Sequence, residues 1–210
     1  MRALFVPLTI ALLLTGCSRQ GEITAGGVYV KRTGCPQVAI PAATGDITLF
    51  DPVNFRTAAA IDVSAAITNV RSNCTEEGAY LVSTASYDVV ATRRDPTQAR
   101  QVVLPIFSVA TQGGTNVVAK RVGAVAVDFA AGSVRGQGRG QSVIRVARSA
   151  AALPADVQRE LTRERRPGDA DAAIDPLSDP KIRDAVATAT FEHLLGFQLT
   201  QDQLRYNATR

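Results

Sequence analysis

The chain has 210 residues, a formal net charge of +4, 46% apolar residues and a single histidine, enough material for one substantial core or for a main domain with an appendage. Twenty of its 23 cations are Arg, beside abundant Ala and Val; this reads as coding bias rather than selection for phosphate, and so small an excess over so long a chain does not mark a nucleic-acid binder. One imidazole excludes a multi-histidine zinc site and leaves any Ser/His/Asp triad with a single base to use.

The chain opens with Arg2 as a positive end and an apolar stretch, Ala3 to Leu14, interrupted by Pro7. That stretch is too short to span a bilayer as a stable helix and has the form of a secretory signal. Leu14-Thr15-Gly16-Cys17 follows directly: a branched apolar residue, two small residues and a Cys. These four residues resemble the lipobox of bacterial lipoprotein precursors, and the resemblance covers residues 1–17 only. It implies that residues 1–16 are a signal peptide, that Cys17 receives a thioether-linked diacylglycerol and becomes the new N-terminus, and that it is N-acylated as well, commonly with palmitate. Each buried methylene contributes about 0.8 kcal/mol, so two or more acyl chains hold a protein on a membrane firmly. Ser18, where an Asp would retain the protein at the inner membrane, points to the periplasmic face of the outer membrane. Nucleic acid is then an unexpected partner, and anionic lipid, lipopolysaccharide or an acidic protein patch a better one.

With Cys17 assigned to lipid, Cys35 and Cys74 are an even pair in an oxidising compartment, and a disulfide between them is expected. Two buried thiols and a metal or redox site are the competing readings. Residues 17–27 suit a lipidated N-terminus with a short tether, and from 28 to 148 the pattern is one of strands. Val28, Val30, Val38 and Ile40 open it. Ile61, Val63, Ala65 and Ile67 alternate with polar or small residues, as do Leu81, Ser83, Ala85, Tyr87, Val89 and Ala91, with a loop expected at Ser72–Gly78. Val102–Thr111 and Asn116–Phe129 flank a Gly113-Gly114 hairpin signal, and a last strand runs over Ser133–Arg148. About seven such strands without intervening helices predict an antiparallel β-sandwich, immunoglobulin- or fibronectin-like in topology, followed by a C-terminal helical segment.

That segment, 149–210, is expected to be an extension. A short helix carries Leu153, Val157 and Leu161, and 167–179 is an acidic linker. A better helix then runs from Pro180 to Leu195 behind an Asp179 cap. At about 100° per residue, Ile182, Val186 and Ala189 fall on one side of it, while Phe191, Leu194 and Leu195 fall on the other. The second apolar side calls for a cover, supplied by the rest of the chain or by a partner protein.

Several patterns resemble chemistry. Gly136-Gln137-Gly138-Arg139-Gly140 lacks the βαβ setting of a phosphate-binding loop and reads as a glycine-rich strand. Arg135, Arg139 and Arg145 share parity and form either a solvated basic stripe or an anionic-ligand site. Ser178-x-x-Lys181 has the spacing of penicillin-binding serine enzymes without their companion motifs, and Ser178 is better placed as part of a helix cap. Asp169, Asp171, Asp175 and Asp179 lack the Gly and Glu of a calcium loop. His193 is expected to be structural. No catalytic constellation, cofactor or metal site is visible. The expected function is therefore that of a non-enzymatic, lipid-anchored interaction or assembly module with an envelope protein partner. The rival is a lipoprotein that binds or hydrolyses an envelope glycan or lipid.

Overall fold

The computed structural model of the chain describes residues 23–24, 27–28, 33–166 and 168–209. The segment expected to be a signal peptide, 1–16, and the expected lipobox Leu14, Thr15, Gly16 and Cys17 lie outside them. The chain divides into two units, Met1–Lys31 with Glu164–Ala173, and Arg32–Arg163 with Ile174–Arg210. In the first, β1 (Ile23–Thr24) pairs with β2 (Gly27–Val28).

The second unit is mainly β. Its strands are β3 (Gln37–Ala39), β4 (Asp46–Phe50), β5 (Ile61–Glu77), β6 (Tyr80–Arg93), β7 (Arg100–Gln112), β8 (Asn116–Phe129), β9 (Arg135–Ala147) and β10 (Phe191–Phe197). They form one curled sheet in the order β3-β10-β7-β8-β9-β6-β5-β4. All neighbours are antiparallel except β3 and β10.

The alternations in sequence are the burial phases of these strands. Val63, Ala65 and Ile67 of β5, Ala85, Tyr87 and Val89 of β6, Leu104 and Ile106 of β7, Val125, Val127 and Phe129 of β8 and Leu195 and Phe197 of β10 meet in one core. The Gly113-Gly114 turn joins β7 to β8, with φ of +63° and +80° at its two glycines. Ser72–Glu77, expected as a loop, instead continues β5. The β5–β6 turn is only Gly78-Ala79, because Gly78 takes φ +58° and Glu77 pairs with Tyr80.

The curl is closed by the segment that joins β3 to β4. Phe197 donates its N–H to Thr44 O (2.8 Å) and Ile67 to Gly45 O (2.8 Å). The Cys35–Cys74 disulfide, with Cα atoms 6.1 Å apart, ties the start of β3 to β5, two elements near opposite ends of the strand order. At the other end of the strands Arg93 is buried, with no carboxylate paired to it among the described residues. It donates to the carbonyls of Ser133, Gln98, Pro96 and Ala130 and lies over the Phe129 ring, so one guanidinium holds two loops together.

The C-terminal part departs most from expectation. Helix α1 (Arg148–Ala151) and helix α2 (Ala155–Thr162) follow β9. Helix α3 (Pro180–Thr188) begins with Asp179 accepting from Lys181 N (2.8 Å). It stops well short of Leu195. Thr190 Oγ1 donates back to Val186 O, and the chain then enters β10 in the middle of the sheet. The expected helix face Phe191, Leu194, Leu195 is thus a strand: Phe191, His193, Leu195 and Phe197 point inward at period two, and Leu194 is half-buried on the other side. Segment 149–210 is accordingly no mere extension, since it supplies a strand bonded on both edges. Helix α4 (Gln201–Thr209) ends the chain, with Asn207 donating to Ala43 O and Asp46 O, and Tyr206 edge-on to Phe50.

Candidate functional site

The inward phases of four strands place polar residues at one level of the curl. β6 contributes Ser83 between Leu81 and Ala85, β7 Ser108 between Ile106 and Ala110, β9 Ser142 before Ile144, and β10 His193 between Phe191 and Leu195. All four are buried, His193 and Ser83 at 0% exposure. The layer they make separates the main core from a smaller one built of Leu81, Ala110, Ile144, Val146, Ala151 and Phe191.

His193 Nδ1 is 3.1 Å from Ser83 Oγ, and Nε2 is 3.1 Å from Ser108 Oγ and 2.5 Å from Ser142 Oγ. Ser142 Oγ also lies 3.0 Å from Ser108 Oγ. A hydroxyl both donates and accepts, so either tautomer of a neutral imidazole is satisfied here, whereas an imidazolium gains no acid to balance it. Burial accordingly pushes the His193 pKa down to about 4. Although serine and histidine stand together, no carboxylate contacts the ring among the described residues. The neighbouring Glu192 faces away and accepts from Thr111 Oγ1 at 3.0 Å. Two surface depressions, of about 570 Å³ beside Ile47, Ala66 and Gln137 and about 590 Å³ beside Phe50, Arg56 and Gln203, are lined by other residues. With all four side chains buried and bonded to one another, and no carboxylate against the ring among the described residues, the layer satisfies its own buried polar groups.

The arginine stripe has the expected parity. Arg135, Arg139 and Arg145 all lie on the exposed face of β9. Ten residues of strand spread them over about 33 Å, too far to converge on one small anion. Two are also engaged, Arg139 with Asp88 (3.2 Å) and Arg145 with Glu77 (3.6 Å). Exposed pairs of this kind contribute at most about 1 kcal/mol each.

The intervening glycines have a packing role. A Cβ on Gly138 would stand 2.2 Å from Ala126 O, on Gly136 2.8 Å from Asp128 O, and on Gly140 2.4 Å from the Tyr87 ring. The Gly-x-Gly-x-Gly run is therefore a bare track on which β8 and Tyr87 rest. Ser178 donates to Asp175 O in a 3-10 turn, and Lys181 pairs with Asp156 at 2.8 Å. Asp175 and Asp179 cap Leu177 N and Lys181 N, Asp169 accepts from Arg166 N, and Asp171 pairs with Arg165. Among the described residues, no group of three His, Cys, Asp or Glu could hold a metal.

Sequence reasoning did not anticipate Ser83, Ser108 and Ser142 around His193, nor the Arg93 clamp. The available signal was phase: each serine occupies an inward position of its alternation, where an apolar residue belongs.

No protein-family model matches this chain, and no curated protein and no solved structure is significantly similar to it.

Proposed function

We propose that the chain is the precursor of a lipid-anchored protein of the bacterial cell envelope, whose mature β domain works as a non-enzymatic interaction or assembly module. The observation that carries this is Leu14-Thr15-Gly16-Cys17 behind a short apolar run. In this reading residues 1–16 are removed, Cys17 is acylated, and Ser18 leaves the protein free to reach the periplasmic face of the outer membrane. The Cys35–Cys74 disulfide supports it, because such bonds persist in oxidising compartments and are rare in the cytosol. At the level of architecture, we read the curled sheet as two facing four-stranded layers of a sandwich, β3-β10-β7-β8 over β9-β6-β5-β4. The single paired position between β8 and β9, Asp128 with Gln137, supports this reading. The glycan- or lipid-binding alternative loses its motivating feature once Arg139 and Arg145 have acidic partners within the chain.

The test is metabolic labelling with an alkyne analogue of palmitate in a Gram-negative host, comparing the chain with Cys17→Ser. Label and membrane retention are expected for the first and neither for the second. Label on the Cys17→Ser chain, or none on the parent, overturns the anchor.

A further inference from the structure

Strand β8 is buried only where it meets the core. From Asn116 to Ala124 every residue is exposed on both faces of the strand, Val117 at 58% and Val122 at 57%. One edge of β8 pairs with β7 from Arg100↔Phe129 to Gln112↔Asn116. The other edge meets β9 at Asp128↔Gln137 alone. The carbonyls of Ala126 and Asp128 lie over Gly138 and Gly136, and before them in sequence the strand stays paired with β7 but stands away from β9.

Antiparallel alternation sends the N–H and C=O of Ala124, Val122 and Lys120 to the same open side as those of Ala126 and Asp128. No strand meets that edge beyond Asp128 among the described residues. This is an unfilled edge, the arrangement that accepts an added strand.

The charges on this edge specify what kind of strand. Lys120 and Arg121 are adjacent, so they project to opposite faces. Lys120 lies 6.0 Å from the Phe107 ring centroid, and neither cation has an ion pair among the described residues, in contrast to the paired Arg139, Arg145 and Arg148. We propose that the free edge of β8, Lys120–Ala124, binds an extended acidic segment of a protein partner as an added strand. Main-chain hydrogen bonds hold the segment, while Asp or Glu on its two faces meets Lys120 and Arg121. A second copy of this chain is a poorer occupant, because self-pairing here adds four cations to one short ladder and supplies no acid. This inference rests on the interaction-module reading and gives it a surface and a partner chemistry; the lipid anchor plays no part in it.

The test uses the mature chain, residues 17–210, carrying Cys17→Ser. The probes are a synthetic peptide Thr-Val-Glu-Asp-Val-Thr, the same peptide with Lys-Lys in place of Glu-Asp, and phosphatidylglycerol vesicles. The readouts are amide hydrogen exchange along β8, binding by titration calorimetry and mass by sedimentation. The acidic peptide is expected to slow exchange at Val122 and Ala124. K120E/R121E, two exposed substitutions, should bind it about tenfold more weakly and prefer the Lys-Lys peptide. Val122→Pro should abolish binding, since it removes an outward N–H while leaving the β7 ladder intact.

No slowing by the acidic peptide up to its solubility limit, equal slowing by the basic one, or slowing by vesicles alone overturns the proposal. So does self-association that Val122→Pro removes. Failure here leaves palmitate labelling of Cys17 untouched, and failure of that labelling leaves the edge result standing.

Discussion

His193 sits among three hydroxyls with no acid beside it, which makes its protonation a cost to the folded state. Its pKa is near 6.5 in the unfolded chain and about 4 in the folded one. The unfolded state therefore binds the proton first as pH falls, and stability is lost between about pH 6.5 and about pH 4. The full contribution is present above that window, and the loss across it is at most on the order of 3 kcal/mol. His193→Gln should lower stability at neutral pH by about 1–3 kcal/mol through imperfectly paired serines, yet flatten the dependence on pH. Urea unfolding of both chains at several pH values across the window checks this, and equal slopes would refute it. The three serines were readable only as hydroxyls in an inward phase. Nothing local says that Ser83, Ser108 and Ser142 share one imidazole, because the four residues belong to four strands.

At the scale of elements, β10 shows how the same residues satisfy two periods. Phe191-Glu192-His193-Leu194-Leu195-Gly196-Phe197 clusters apolar residues on one side at period 3.6, and equally puts Phe191, His193, Leu195 and Phe197 on one face at period two. The slot between β3 and β7 decides for the strand. Gly196 lets it in, since a Cβ there would meet Thr44 Oγ1 at 2.4 Å and the Phe107 ring at 2.9 Å. Ending the chain at Thr190 should abolish cooperative thermal unfolding, because it removes four inward side chains and leaves two sheet edges bare. A shortened chain that still melted in one sharp transition would show the C-terminal segment to be dispensable. The β6 alternation from Leu81 to Ala91, by contrast, is longer and admitted one reading.

For the whole molecule, the decisive feature is that a curled sheet brings distant parts of its strand order together. The Cys35–Cys74 bond exploits this by closing a loop of 39 residues between β3 and β5, which in the chain-entropy model stabilises the fold by about 4 kcal/mol, an upper figure. Replacing both cysteines by serine should lower the urea midpoint accordingly, and an unchanged midpoint would show that the Thr44 and Gly45 backbone bonds close the curl unaided. By itself the sequence determined the inward and outward phases of the long strands, the Gly113-Gly114 turn and the outward parity of Arg135, Arg139 and Arg145, and it nominated the Cys35–Cys74 pair. Those are properties of neighbouring residues or of residue type. Only the tertiary structure decided the strand order, the fate of β10, the His193 layer, the use of the glycines as a track and the open edge of β8. Each of these depends on backbones far apart in the chain coming within hydrogen-bonding or van der Waals distance, and periodicity along one segment carries no information about which other segment lies across from it.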